Sequence, residues 1–290
     1  MSPPAIPKDL DRLLAKVEAL VDRLEGVLPP AAPAPDWKSR AFRWRRVNGR
    51  GVLEAVRHAH TIRFADLKDI DEQLARFRDN TRQFVEGRPA NNVLLTGARG
   101  TGKSSLVKAA LNEYGARGLR VIEVDRNDLV DLPSIVALIE ARKERYVLFC
   151  DDLSFEASEP GYKALKSALD GSIAAASENI VIYATSNRRH LMPEYMAENL
   201  EAKHVGGEIH PGETTEEKIS LSERFGLWLS FYPFVQEQYL HIAAHWVEVL
   251  GGKAGADMEA AARLWSLERG SRSGRVAWQF ARDYVGRKKK

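Results

Sequence analysis

The stretch NVLLTGARGTGKSSL, residues 92–106, decides the fold of this chain. Its apolar start predicts a buried strand and its end predicts a helix. Between them, Gly97, Gly102, Lys103 and Ser104 have the spacing G-x-x-x-x-G-K-[ST]. In such loops backbone N–H groups surround phosphate oxygens, the lysine reaches the β- and γ-phosphates, and the hydroxyl binds Mg²⁺. The alternative, a glycine turn that binds nothing, does not explain why a helix N-terminus follows, where anions are favoured.

Composition sets broad limits on the class of protein. The 290 residues are 44% hydrophobic, which is enough for a sizeable core in one or two domains. No run reaches the roughly 18 apolar residues of a membrane span, and the first residues lack the order of a signal peptide. The single cysteine, Cys150, has no disulfide partner within the chain. We therefore expect a soluble, cytoplasmic protein without membrane contact, and the formal net charge of +3 identifies no partner by itself.

The N-terminal part is predicted to contain a helix and a linker. Within the first predicted domain, residues 1–28, apolar residues recur at helical spacing and charged residues lie between them. This helix could form a short coiled coil, dock a partner, or pack on its own protein. The prolines of residues 29–35 then predict a stiff, extended linker.

A basic segment with aromatic residues follows this linker and completes the second predicted domain, residues 29–63. Residues 36–64 carry an excess of six positive charges. Trp37, Phe42 and Trp44 are interleaved with the arginines. Such a pattern suits a nucleic-acid surface, through phosphate neutralisation and base stacking. The alternative is that the aromatics are core and the arginines face solvent or an acidic partner.

The third predicted domain, residues 64–233, alternates strands with helices. The predicted strands are 93–95, 119–124, 146–150, 180–185 and 225–233. This alternation predicts a three-layer α/β fold with a parallel five-stranded sheet, in which ligands bind at the carboxyl ends of the strands. Residues 194–220 are predicted to be a long insertion or loop, in which no histidine or acid has a known metal spacing. The last domain, residues 234–290, is predicted to be a small set of three helices.

Polar residues follow two of the predicted strands. Asp151 and Asp152 come directly after strand 146–150, and Asn187 follows strand 180–185. Asp151 is expected to hold Mg²⁺ and Asp152 to orient or deprotonate an attacking water. Asn187 could hold that water or the γ-phosphate, because the tips of neighbouring parallel strands meet in one crevice. Alternatively, the acids cap a turn and the asparagine forms one.

The order of these features resembles an AAA+ ATPase over roughly residues 64–285. More closely, FCDDLSFE, IYATSNRRHL and LSERFGLWLSFYPF resemble a bacterial AAA+ family catalogued as of unknown function. The resemblance implies the strand order 5-1-4-3-2, a Walker B motif at Asp151 and Asp152, and Asn187 as sensor 1. It also implies that ATP is contacted by the phosphate loop, the following residue and the lid, at Gly97, Ala98, Arg99, Gly100, Thr101, Gly102, Lys103, Ser104, Ser105 and Arg275.

The remaining roles also come from this resemblance. Arg224 would be an arginine finger that completes a neighbour's site, which implies a homo-oligomer, and Arg275 would be sensor 2. Arg272, or Arg188 with Arg189, are alternatives to Arg275. Residues 64–70 would contact the adenine. Most AAA+ ATPases have Asp-Glu in Walker B, whereas this chain has Asp-Asp, as replication initiators and helicase loaders do. Because the usual glutamate is absent from the motif, Glu156 is an alternative to Asp152 as the catalytic base.

These observations predict an ATP- and Mg²⁺-dependent ATPase, with Lys103, Asp152, Asn187 and Arg224 as catalytic residues and Ser104 and Asp151 as metal ligands. Nucleotide state would move the helical lid and change the grip on a macromolecular partner. One alternative is a nucleic-acid-binding switch of the initiator or helicase-loader type. Others are a small-molecule phosphotransferase and a scaffold that binds ATP without hydrolysis. Residues 125–131 lack the aromatic that a protein-threading loop needs.

Overall fold

A computed structural model of the chain describes residues 12–14, 16–20, 23, 34–155, 159–170, 178–187, 203–205, 208–210 and 221–288. The strands in these residues are β1 (Ala41–Val47), β2 (Arg50–Ala55), β3 (Val93–Gly97), β4 (Leu119–Glu123), β5 (Arg145–Cys150), β6 (Ile180–Ser186), β7 (Lys203–Val205), β8 (Glu208–His210) and β9 (Leu227–Phe231). The helices are α1 (Asp71–Val85), α2 (Lys103–Tyr114), α3 (Leu132–Ile139), α4 (Pro160–Asp170), α5 (Gln236–Val249), α6 (Ala256–Glu268) and α7 (Gly274–Lys288).

The main sheet has seven strands in the order β2-β1-β4-β5-β6-β3-β9. All neighbours pair in parallel except β1 and β2, which are antiparallel. Starting at β9, the five predicted strands follow the expected order 5-1-4-3-2, so that prediction is confirmed. The predicted number of five strands is wrong, because a hairpin of β1 and β2 extends the sheet beside β4. Buried apolar side chains form one core cluster on each face of the sheet, which gives the three predicted layers.

The hairpin arises from the segment predicted to be basic and aromatic. Phe42 and Trp44 alternate with arginines along β1, and their side chains are only 1% and 5% exposed. The turn is Asn48-Gly49, with φ of 51° and 76°. Two successive positive φ angles are typical of the tight hairpin turn whose twist matches that of the strands, and Asn-Gly is its preferred sequence. These two aromatics are therefore core residues, the second of the two interpretations of the sequence.

The C-terminal helices form a small unit, which we call the lid, residues 236–288. Tyr239, Ala262 and Ala277 are fully buried where its three helices meet. The lid contacts the sheet domain beside the phosphate loop, since the Gly274 N–H donates to the Gly100 carbonyl at 2.8 Å. The start of α7 therefore lies next to the phosphate loop.

Two other predicted regions are described only in part. Residues 12–14, 16–20 and 23 are helical, and the rest of the predicted N-terminal helix lies outside the described residues. Within the predicted loop 194–220, β7 and β8 pair as a small antiparallel hairpin. In the part of the chain that the structure describes, we find no helix with the length and apolar content that a membrane span requires.

Candidate functional site

The phosphate loop, residues 97–104, connects β3 to α2 at the carboxyl end of the sheet. Its first glycine, Gly97, has φ 119°, and a Cβ there would lie 1.9 Å from the carbonyl oxygen of Phe231 on the neighbouring strand. Gly102, with φ 100°, lies immediately before the first residue of α2. Positive φ angles are strained for other residues at both positions, and at Gly97 the close approach of Phe231 also leaves no room for a side chain.

The ammonium of Lys103 is held inside this loop. The residue is 5% exposed. Its Nζ donates to the carbonyl oxygens of Gly97 at 2.8 Å and Ala98 at 2.7 Å, and to Oδ1 of Asn187 at 3.1 Å. Three hydrogen bonds use all three donors of an ammonium group. Lys103 therefore links the phosphate loop to the tip of β6.

Burial lowers the pKa of Lys103 to about 8. Asp151 and Asp152 oppose this shift, whereas Arg99 and Arg275 add to it. The lysine thus lies among two carboxylates and two guanidinium groups. Positive groups gathered at a helix N-terminus make a place that favours an anion with several negative charges.

The Ser104 hydroxyl and the Asp151 carboxylate meet beside the loop. Ser104 Oγ donates to Asp151 Oδ1 at 2.6 Å. Carboxylate and hydroxyl oxygens are hard ligands, and Mg²⁺ is usually bound by one or two such groups together with waters and substrate phosphates. The chemistry of these two side chains therefore suits a Mg²⁺ ion next to a phosphate.

Asp152 lies in the turn that follows β5 and has an uncommon backbone conformation. Its φ is 54°, in the left-handed region that few residues other than glycine adopt. Its Oδ1 accepts a hydrogen bond from the Asn187 amide nitrogen. Since Asn187 also accepts from Lys103, one amide joins the lysine of the loop to the second acid. The structure thus brings together the predicted lysine, acids and asparagine.

A cavity of about 980 Å³ opens beside these residues. One side is formed by residues 59–63 together with Asp66, Leu67, Lys68 and Ile70, which include part of the segment predicted to contact adenine. The lid forms another side. Its lining side chains are mainly apolar and aromatic: Ile242, Trp246, Val249, Arg275 and Trp278. The cavity therefore combines polar and charged groups at the phosphate loop with apolar and aromatic side chains from the lid.

The predicted arginines lie in different places. Arg275 lines the cavity at the start of α7. Arg224 lies outside the cavity lining and forms an ion pair with Asp170, the last residue of α4. Of the competing residues, Arg272 is outside the lining too. Arg188 and Arg189 lie outside the described residues, as does Glu156, the substitute base.

Trp246, Trp278 and Thr185 are among the residues of the site that the sequence interpretation missed. Trp246 and Trp278 line the cavity with ring centroids 4.7 Å apart. Thr185, two residues before Asn187, hydrogen-bonds both acids of the Asp151-Asp152 pair. Thr185 is a polar residue in the mainly apolar strand IVIYATS, and this was a signal that its hydroxyl binds another group. The tryptophans gave no such signal, because aromatic residues in helices are usually core.

The arginines of β1 have acidic partners within the chain. Arg43 pairs with Glu123 on β4 at 3.0 Å. The other two β1 arginines also form ion pairs, Arg45 with Glu54 on β2 and Arg46 with Asp131 after β4. The pairs offset the positive charge of this strand, and the aromatics beside them are buried. Phe42 and Trp44 therefore offer no exposed ring for base stacking, and each arginine of β1 has an acidic neighbour within the chain.

The strand order of the sheet, a phosphate loop directly after β3 and a helical lid define the AAA+ class of P-loop NTPase folds. A variant of Thermotoga maritima RuvB is similar, with 16% identity over 74% of this chain and a TM-score of 0.50. This chain spans 60% of the length of that RuvB chain. DnaI matches with 19% identity, 59% of this chain, 87% of its own and a TM-score of 0.38. A DNA replication initiation factor matches with 14% identity, 75% of this chain, 62% of its own and a TM-score of 0.45.

The chain belongs to the family described as protein of unknown function, DUF815, whose model matches residues 37–288. The matched range begins at Trp37, so it includes the hairpin as well as the sheet domain and the lid. This membership confirms the expected family. Among curated proteins, no relative matched the chain.

Proposed function

We propose that this protein is an ATPase that binds Mg²⁺ and ATP in the cavity beside the phosphate loop. The observation that carries the proposal is a pair of neighbouring hydrogen-bonded sets at the carboxyl end of the sheet. One set joins Lys103, Asn187 and Asp152, and the other joins Ser104 and Asp151. Together the two sets contain a phosphate-binding cation, oxygen ligands for a metal, a carboxylate base and a polar group for a water or phosphate.

Each of these residues has a separate task in the proposed reaction. The loop N–H groups and Lys103 would bind the β- and γ-phosphates, with Lys103 exchanging its loop carbonyls for phosphate oxygens. Ser104 and Asp151 would hold Mg²⁺, which when bound neutralises charge that develops on the phosphate oxygens. Asp152 would orient the attacking water and accept its proton, and Asn187 would hold the γ-phosphate or that water.

The lid provides a way to couple the nucleotide to movement. It contacts the phosphate loop through the Gly274 N–H, and Arg275 lines the same cavity. A second contact joins the lid to the sheet domain, between His241 of α5 and Asp69 at 2.9 Å. A nucleotide that fills the cavity would touch both the sheet domain and the lid, so binding and hydrolysis would favour different lid positions.

The location of Arg224 supports an assembly of several chains. It lies outside its own cavity, on the sheet domain next to α4. We propose that it reaches the site of a neighbouring subunit and stabilises charge on the γ-phosphoryl group. Hydrolysis would then require a homo-oligomer.

The lid movement would remodel or load a macromolecular partner. Two sequence features favour a nucleic-acid partner, the Asp151-Asp152 pair and the basic segment 36–64, but the β1 arginines of that segment have acidic partners within the chain. We therefore do not place a nucleic-acid site on the hairpin. The chemistry proposed for the cavity is independent of which macromolecule is bound.

Steady-state ATP hydrolysis tests the proposed activity. The wild type should release phosphate in the presence of Mg²⁺, and Lys103→Ala should lose this activity because the phosphates lose their cation. Lys163→Ala, which removes an exposed lysine of α4, is the matched control and should keep wild-type turnover. Equal turnover in the wild type and Lys103→Ala would contradict the proposal.

A further inference from the structure

Thr185 is placed to control the geometry of the acid pair. It lies at the end of β6 and is 2% exposed. Its Oγ1 donates to Asp151 Oδ1 at 2.6 Å and accepts from the Asp152 N–H at 2.8 Å. A threonine hydroxyl has one donor, so its hydrogen is committed to Asp151. A single buried side chain therefore contacts one acid through its carboxylate and the next through its backbone.

The bond to Asp151 determines which way this carboxylate faces. Oδ1 accepts from Thr185 on the β6 side and from Ser104 on the phosphate-loop side, each at 2.6 Å. Hydrogen bonds that ionised groups accept are stronger than those between neutral groups. The two hydroxyls thus fix Asp151 between the strand and the loop, where the proposed metal needs it.

The bond to Asp152 acts on its backbone. The left-handed conformation at φ 54° is strained for a residue other than glycine, and it persists only where the surroundings hold it. Here the Asp152 N–H is held by Thr185 Oγ1, and the next N–H, of Leu153, donates to the Thr185 carbonyl at 2.7 Å. This conformation directs the Asp152 carboxylate to Asn187.

We propose that Thr185 is a positioning residue that sets both carboxylates for metal binding and for activation of water. This proposal rests on the proposed function, because the proposed ATPase reaction assigns metal binding to Asp151 and activation of water to Asp152. Residues that orient metal ligands typically change metal affinity or activity about 10- to 100-fold when they are replaced. Thr185 would act in the same way through two acids at once.

The test uses two substitutions at this position. Thr185→Val keeps the shape and removes the hydroxyl, and Thr185→Ser keeps the hydroxyl. Thr185→Val should lower kcat about 10- to 100-fold and raise the Mg²⁺ concentration for half-maximal turnover by a similar factor. ATP binding measured in EDTA should stay at the wild-type level, and Thr185→Ser should restore kcat and the Mg²⁺ dependence.

A matched control separates positioning from loss of stability. Thr81 lies on α1, far from the acids in the sequence, and is fully buried. Its hydroxyl donates to the Phe77 carbonyl at 2.8 Å. Thr81→Val should lower the thermal unfolding midpoint and leave the Mg²⁺ dependence unchanged. If Thr185→Val keeps the wild-type kcat and Mg²⁺ dependence, the proposal is overturned.

The proposed function can fail separately from this inference. If the wild type binds ATP without hydrolysing it, the ATPase is refuted, and calorimetric titration of ATP with and without Mg²⁺ decides the role of Thr185. The gain in ATP affinity on adding Mg²⁺ should then be smaller in Thr185→Val than in the wild type and Thr185→Ser. Equal gains in all three proteins would overturn the inference, and absence of ATP binding by the wild type would overturn both proposals.

Discussion

Replacement of Arg224 tests whether one chain completes the site of another. If Arg224 stabilises the γ-phosphoryl group of a neighbour, Arg224→Ala should lower kcat by about 10³- to 10⁵-fold, the range for arginine fingers. ATP affinity should change little, because Arg224 lies outside the cavity of its own chain. Arg76→Ala, an exposed arginine of α1, is the control and should leave kcat unchanged.

The ion pair with Asp170 predicts a second, smaller effect. The side chains of Arg224 and Asp170 are 25% and 44% exposed, so the pair contributes at most about 1 kcal/mol. Asp170→Asn should therefore raise the availability of Arg224 by no more than about fivefold. We expect a small gain in kcat for Asp170→Asn and a very large loss for Arg224→Ala. This pattern indicates that the ion pair holds Arg224 before it binds the γ-phosphate of a neighbouring subunit.

Mixing two inactive variants provides the sharpest assay. Arg224→Ala keeps its own phosphate loop, and Lys103→Ala keeps its arginine. In a head-to-tail assembly, a one-to-one mixture should regain about a quarter of the wild-type specific activity, because half of the subunits have a working loop and half of those receive an arginine. A mixture that regains nothing, together with a wild-type specific activity that does not fall on dilution, would refute the reasoning.

Three further predictions concern the fold. Gly51→Ala should destabilise the protein by about 1–3 kcal/mol in chemical denaturation, because a Cβ there would lie 1.9 Å from Cζ2 of Trp44. Burial raises the pKa of Asp66, but the bonds and charge of Arg63 outweigh it and hold this pKa below its ordinary 3.8. The stability difference between the wild type and Asp66→Asn should thus be constant well above pH 3.8 and disappear as the pH falls below that value. Burial and then Asp151 raise the pKa of Cys150 to about 12, so iodoacetamide should leave this thiol unmodified at pH 8 until the protein unfolds.

Local chemistry made the phosphate loop predictable. Glycine spacing, a lysine and a hydroxyl in residues 97–104 determine how that loop can fold and what it can bind. Strands that end in polar residues indicated the edge where ligands bind, and the resemblance supplied the order. The structure places Lys103, Asp152 and Asn187 in contact, as expected from neighbouring strand tips.

Features that depend on contacts distant in sequence were not predictable. The hairpin had a local signal, Asn48-Gly49, but its pairing with β4 depends on contacts between residues 80 positions apart in the sequence. The hydrogen bonds between Thr185 and the two acids form only because β5 and β6 are adjacent in the sheet. The tryptophans of the lid join the cavity only because α5 and α7 pack beside the loop. The partner of Arg224, Asp170, lies 54 residues earlier in the chain.

The central claim is that this cavity hydrolyses ATP, and a single-turnover experiment tests it most directly. Protein in excess over γ-labelled ATP and Mg²⁺ should convert the bound nucleotide to ADP and free phosphate in the wild type. Asp152→Asn should hold the ATP uncleaved, because the base is absent while Lys103 and the loop remain. ATP that stays intact on the wild type, or label that moves to another molecule instead of free phosphate, would contradict the account.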